Sequence, residues 1–117
     1  MSQIWDTNVV KAAIFRPGAA IRSFPKDVRR ELGKAIFDLQ NGAVLAMPLS
    51  RPMPSIEPGA AELRFRDRSG IYRAFYYTRS PRGILVFHAF VKKSQATPLR
   101  ELNLGKKRLK ELFHEEV

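Results

Sequence analysis

The sequence predicts a small α+β domain with the element order β-α-α-β-β-β-α, its helices packed on one face of a mostly antiparallel sheet. Three observations lead there. An apolar stripe at helical spacing occupies the N-terminal half, three strand-like runs with turn-forming connections fill the centre, and a second helical stripe closes the chain. With 117 residues, 44% of them hydrophobic, the chain suffices for one modest core, so a single domain is expected over residues 1–117.

Val9 to Phe15 (VVKAAIF) is an apolar, β-branched run ended by the turn-forming Arg16-Pro17-Gly18, and reads as the first strand. Ala19 to Ser23 suits one short helical turn. Ser23 is placed to cap the next helix, with Pro25 in its first turn. There Val28, Leu32, Ala35, Ile36 and Leu39 draw one apolar stripe, Lys26, Arg29, Arg30 and Lys34 take the polar side, and Asn41-Gly42 supply the stop. Pro48, Pro52, Pro54 and Pro58 make Met47 to Gly59 a loop, since each removes a backbone donor and disfavours helix in its predecessor. Ala61 to Arg66, Ile71 to Thr78 and Gly83 to Val91 form an antiparallel meander through Asp67-Arg68-Ser69-Gly70 and Arg79-Ser80-Pro81-Arg82. Thr97 can cap the last helix with Pro98 at its first position, and Leu102, Leu109, Leu112 and Phe113 form its buried stripe. Gly105 falls on that stripe, where it marks close packing against the sheet at a propensity cost of about 1 kcal/mol relative to alanine.

Charge narrows the function. Between Arg64 and Lys110 lie thirteen of the twenty-one Lys and Arg residues, against only Asp67 and Glu101, and the formal net charge is +10. Several of these cations lie inside strand-like runs. A merely solvated basic face has no need of cations there, so a polyphosphate partner, RNA or DNA, is the leading reading and a membrane surface the weaker one. No apolar stretch approaches the length of about 20 residues that spans a bilayer, and Met1 to Asp6 lacks the pattern of a secretory signal, so a cytoplasmic location is expected. Zero cysteines exclude disulfides and thiolate metal sites, and His88 and His114 form no metal motif. Neither a cofactor nor a metal is expected.

Strand alternation puts Arg64 and Arg66 on one face and Leu63 and Phe65 on the other. If Asp67 to Gly70 is the whole turn, Arg66 pairs with Ile71 and Arg64 with Arg73. The same reasoning for Arg79 to Arg82 pairs Thr78 with Gly83 and sets Arg73 opposite His88, giving a row of Arg64, Arg73 and His88 across three strands. Like charges opposite one another destabilise a sheet by several tenths of a kcal/mol, so such a row implies a bound anion. Taken alone, His88 reads as a satisfied histidine of a central strand. Tyr77 shares the parity of Arg73 and could stack on a base, although strand tyrosines are more often core residues. Lys92 and Lys93 close the last strand and Gln95 follows.

These residues carry a resemblance. Glu62-Leu63-Arg64-Phe65-Arg66, Gly70-Ile71-Tyr72-Arg73, Phe75-Tyr76 and Phe87-His88-Ala89-Phe90-Val91-Lys92-Lys93-Ser94-Gln95-Ala96-Thr97-Pro98 before a basic helix resemble the HigB branch of the RelE-like toxins, in its phage-derived group. The resemblance runs from near Phe24 to the C-terminus, and Lys-Lys-Ser-Gln-x-Thr-Pro is its most specific part. It implies a RelE-like fold and the toxin of a type II toxin–antitoxin pair, an endoribonuclease that cuts messenger RNA on the ribosome and inhibits translation and growth. Implied partners are mRNA, the ribosome and a cognate antitoxin, HigA-like with a helix-turn-helix domain, through which operator DNA would be bound.

By position in the resemblance, Arg64 and Arg66 align the RNA backbone; Tyr77, by its parity with Arg73, and Gln95, just after the last strand, are further candidate RNA contacts. Attack by a 2′-hydroxyl on the adjacent phosphate requires a base, a charge stabiliser and an acid. Arg73 is the candidate stabiliser, because its fork can hold a phosphate bidentately. His88, Lys92 and Lys93 are the candidates for proton transfer or phosphate contact. The sequence departs from the family in one respect: RelE-like enzymes often place a tyrosine where this chain reads Thr97-Pro98-Leu99, so the general base stays unassigned. The alternative of another class is a noncatalytic RNA-binding module using the same basic face. A kinase- or gyrase-directed toxin ranks third, since the chain has no glycine-rich phosphate loop.

Overall fold

A computed structural model describes residues 10–93 and 96–115. In chain order the elements are β1 (Ala13–Phe15), α1 (Gly18–Arg22), α2 (Lys26–Gln40), β2 (Ser50–Pro52), β3 (Ala60–Asp67), β4 (Gly70–Ser80), β5 (Gly83–Lys92) and α3 (Leu99–Glu115). The fold is α+β. Its five strands form one open sheet in the order β1-β5-β4-β3-β2, with β1 parallel to β5 and every other pair antiparallel. Among the described residues no helix is long and apolar enough to cross a membrane.

The stripe read from the sequence is the one α2 buries: Val28, Leu32, Ala35, Ile36 and Leu39. These side chains join Phe24, Leu63, Phe65, Tyr72, Ala74, Tyr76, Ile84, Val86 and Ala89 in a core on one face of the sheet. Phe75, Leu85, Phe87 and Phe90 point to the opposite face and pack under Leu109 and Leu112 of α3. Helices therefore cover both faces, which corrects the expectation of one covered face. The cause lies in β5, whose residues Gly83 to Phe90 are all buried. A central strand that is apolar in continuous sequence needs cover above and below.

Other differences are local. The first strand is shorter than Val9 to Phe15: residues 10–12 are outside the strand, and Lys11 instead exchanges hydrogen bonds with Gln40, its N–H donating to the Gln40 carbonyl at 2.9 Å and its carbonyl accepting from Gln40 Nε2 at 2.8 Å. Val9 lies outside the described residues. Pro25 is the N-cap of α2 and not a first-turn residue, and Ser23 does not cap it, because its hydroxyl donates to the Ala20 carbonyl at 2.6 Å. The proline-rich loop contains a short edge strand, β2, paired with β3; Pro52 is tolerated there because an edge strand has one side unpaired. The hydroxyl of Ser50 on β2 meets the Tyr76 hydroxyl on β4 at 2.5 Å inside the core.

Gly105 has the role expected of it. A Cβ there would stand 2.7 Å from Cδ2 of Phe75, so only glycine lets α3 lie this close to β4. Gly83 is required for a different reason. Its φ is +117°, and a Cβ would run into the Ala12 carbonyl oxygen, where β5 begins against the N-terminal segment.

Candidate nucleic-acid interface

The β3–β4 register is the one expected, with Arg64 opposite Arg73 and Arg66 opposite Ile71. The Asp67 carboxylate fixes this turn by accepting from the Ser69 hydroxyl at 2.6 Å and from the backbone N–H groups of Ser69 at 2.8 Å and Gly70 at 3.1 Å; the hydroxyl bond first, then the two backbone bonds, hold its pKa below the ordinary carboxylate value against the raising effect of desolvation. The β4–β5 register differs. Ser80, not Thr78, pairs with Gly83, Arg73 pairs with Phe90, and His88 pairs with Phe75. An irregularity between Phe75 and Tyr76 leaves Phe87 as an extra residue, and a second follows Tyr77. The row of Arg64, Arg73 and His88 is therefore not formed.

A compact cationic cluster takes its place on the part of the α3-side face nearest the β3–β4 turn. Arg51 of β2 lies opposite Glu62, Arg64 opposite Arg73, and Lys92 opposite Ile71, whose other partner is Arg66. Alternation places all of these on the face of Phe75 and Phe90. Glu62 sits among them, 1% exposed, with Oε1 at 3.4 Å from Arg73 Nε and 3.9 Å from Arg64 Nε. Its other oxygen accepts from the Thr97 hydroxyl at 3.1 Å, which ties the approach to α3 onto β3; α3 itself begins at Leu99, so Pro98 stands just before its first position and not at it. Arg64 also directs Nη1 at the sulfur of Met47, 3.4 Å away, and Pro48, Arg64, Phe65, Arg66 and Arg73 line a small pocket at the surface.

Arg73 is 5% exposed, which is unusual for a guanidinium. Burial lowers its pKa, Glu62 opposes that shift, and Arg64, Arg66 and Arg51 add to it. For Lys92 burial is again the main cause of a lowered pKa, followed by repulsion from Arg73, with Glu62 opposing and Arg64 and Arg51 contributing. Both shifts record the same condition: positive charge crowded on partly dehydrated surface beside one carboxylate. A diffuse anion laid across it would relieve the repulsion.

The remaining candidates lie elsewhere. His88 is 3% exposed beneath α3. Arg108 Nη1 lies 2.6 Å from its Nδ1 and Glu101 Oε1 lies 2.7 Å from its Nε2. A guanidinium can only donate, so Nδ1 accepts, Nε2 carries the proton and donates to Glu101, and the ring is neutral. Burial lowers its pKa, the hydrogen bond to Glu101 opposes, and Arg108 lowers it further. With both ring nitrogens engaged, His88 is a fastener of α3 to β5 and not the acid or base the sequence suggested. Tyr77 packs edge-on against Phe113, ring centres 5.2 Å apart, under the far end of α3, so it is not a stacking platform beside Arg73. Lys93 is exposed just beyond β5. Gln95 lies outside the described residues.

Two participants went unassigned in the sequence. Glu62 and Arg51 face one another across β2 and β3. Glu62 left a signal, since it is an acid two residues before Arg64 on the same side of a strand otherwise rich in arginine. Arg51 left none, because its strand lies between prolines. Among the described residues, no group of three or more His, Asp or Glu side chains gathers in a way that could hold a metal ion.

A family model for phage-derived Gp49-like proteins matches residues 19–110. The chain belongs to this family, which is toxin-like, of the RelE/HigB type. Comparison with curated proteins finds no match.

Proposed function

We propose that this protein is the HigB-type toxin of a type II toxin–antitoxin pair and an RNA-directed endoribonuclease whose substrate phosphates lie on the cationic face of β2, β3, β4 and β5. One observation carries the reading most: Arg73 is buried opposite Arg64 and beside Arg51, Arg66 and Lys92, a concentration of positive charge that a sheet tolerates where phosphate binds. Membership of the toxin-like Gp49-like family supports it independently. In the cleavage step the 2′-hydroxyl oxygen attacks the adjacent phosphorus while the bond to the 5′-oxygen of the next nucleotide breaks. Arg73 and Arg64 offset the charge gathering on the phosphoryl oxygens. The attacking hydroxyl gives up its proton, the departing 5′-oxygen takes one up, and a 2′,3′-cyclic phosphate is left; Lys92 is the group on this face suited to one of these two transfers. The partners proposed are mRNA on the ribosome and an antitoxin that neutralises the toxin and reads operator DNA for the pair.

The engagement of His88 by Glu101 and Arg108 favours a second reading, a noncatalytic RNA-binding module, because it removes one proton-transfer candidate. Cleavage of a defined mRNA, free and on programmed ribosomes, separates the two when wild type is compared with Arg73→Ala. Cuts on ribosomes that are lost in the variant are expected. Intact RNA in every case, from folded protein free of antitoxin, refutes the nuclease.

A further inference from the structure

The pairing of Glu62 with its arginines is incomplete. Oε1 lies within ion-pairing distance of Arg73 and Arg64, yet Nε of each arginine is buried and, among the described residues, has no hydrogen-bond partner. The Thr97 hydroxyl bonds Oε2 and restrains the carboxylate from turning to satisfy both donors. The carboxylate therefore offsets charge while leaving directional acceptors wanting, and buried donors without acceptors are costly. A phosphodiester brings acceptor oxygens in a geometry that a guanidinium matches.

We propose that Glu62 is an internal surrogate for the substrate phosphate, holding Arg64 and Arg73 in place while the face is empty and competing for them when RNA arrives. This rests on the reading of the face as phosphate-binding and assigns Glu62 as a positioning residue that limits affinity. Such a carboxylate keeps the arginines ordered before binding and speeds release of a cleaved strand. A carboxylate serving only the fold would have a different signature. Its loss would weaken the protein and its ligand binding together.

The test uses Glu62→Gln, which keeps the shape and an acceptor for Thr97 but removes the charge, beside Glu62→Asp, which keeps the charge. Inorganic phosphate and a single-stranded 2′-deoxy oligonucleotide that cannot be cleaved are the probes. In phosphate-free buffer Glu62→Gln should melt below wild type and gain more from added phosphate. It should bind the oligonucleotide about tenfold more tightly, as one released charge-assisted contact predicts, with a salt slope steeper by about 0.7. Glu62→Asp should stay near wild type in both. Equal or smaller phosphate stabilisation of Glu62→Gln overturns the assignment. If neither protein binds the oligonucleotide while the phosphate difference persists, the assignment of Glu62 stands and the RNA reading fails. Should Glu62→Gln not fold, the double variant with Arg64→Gln, compared with Arg64→Gln alone, carries the same test with less unpaired charge.

Discussion

One glycine-to-alanine change should stabilise this protein and another should destabilise it, although both lie inside helices. Gly33 is exposed in the middle of α2, and a Cβ there meets nothing within 4 Å. Alanine at that position gains helix propensity alone, about 0.8–1 kcal/mol. Gly105 offers the same gain in α3, but its Cβ would lie 2.7 Å from Cδ2 and 3.0 Å from Cε2 of Phe75. That ring is fully buried and in contact with Phe87, His88 and Phe90, so it cannot swing aside without moving a second aromatic layer. Overpacking of this kind costs about 1–3 kcal/mol, and subtracting the propensity gain leaves a net loss of up to about 2 kcal/mol for Gly105→Ala. Urea unfolding of the three proteins, with midpoints compared at constant m-value, measures the difference directly. A Gly105→Ala midpoint raised as far as that of Gly33→Ala would refute the claim that α3 rests on Phe75 at glycine distance.

Two further tests address the buried polar groups. Because burial holds the folded His88 pKa below its unfolded value of about 6.5, the unfolded chain binds more protons; the stabilisation is complete above that pH and is lost as pH falls toward the folded pKa. Denaturant midpoints measured from pH 8 to 5 should fall across this window, and His88→Gln should flatten that part of the profile; an unchanged slope would show that His88 does not titrate as assigned. Tyr76→Phe should cost about 1–3 kcal/mol, since it strips the Ser50 hydroxyl of a partner inside the core, and restoring stability in the double variant with Ser50→Ala checks the pairing.

The elements were legible wherever local chemistry decided them. The stripe of α2 and the Asp67 turn are both short-range features, and each holds in the structure. The β4–β5 register was not, because β4 runs on to Ser80, leaving only Pro81-Arg82 as the turn, and β5 admits an extra residue at Phe87 that no turn or proline announces. His88 was recognisable as a buried strand histidine, but its neutral state depends on Glu101 and Arg108, which reach it only when α3 docks. The bond from the Thr97 hydroxyl to Glu62 was likewise hidden, because 35 residues separate the two in sequence. In the candidate site, the arginine pair followed from the register of one hairpin. Arg51 and Glu62 depended on an edge strand that four prolines concealed.

The order of strands in the sheet also governs how the molecule assembles. β5 is the last strand synthesised, yet it lies between β1 and β4. Until it emerges, β1 has no neighbour and β4 presents a bare edge. The hairpin of β3 and β4 can bring Arg64 and Arg73 together early, because their contact is local. Lys92 and Thr97, which follow in the chain, join them only once β5 is in place. A nascent chain thus carries its paired arginines before the cationic face is whole, and β5 with the segment after it completes that face.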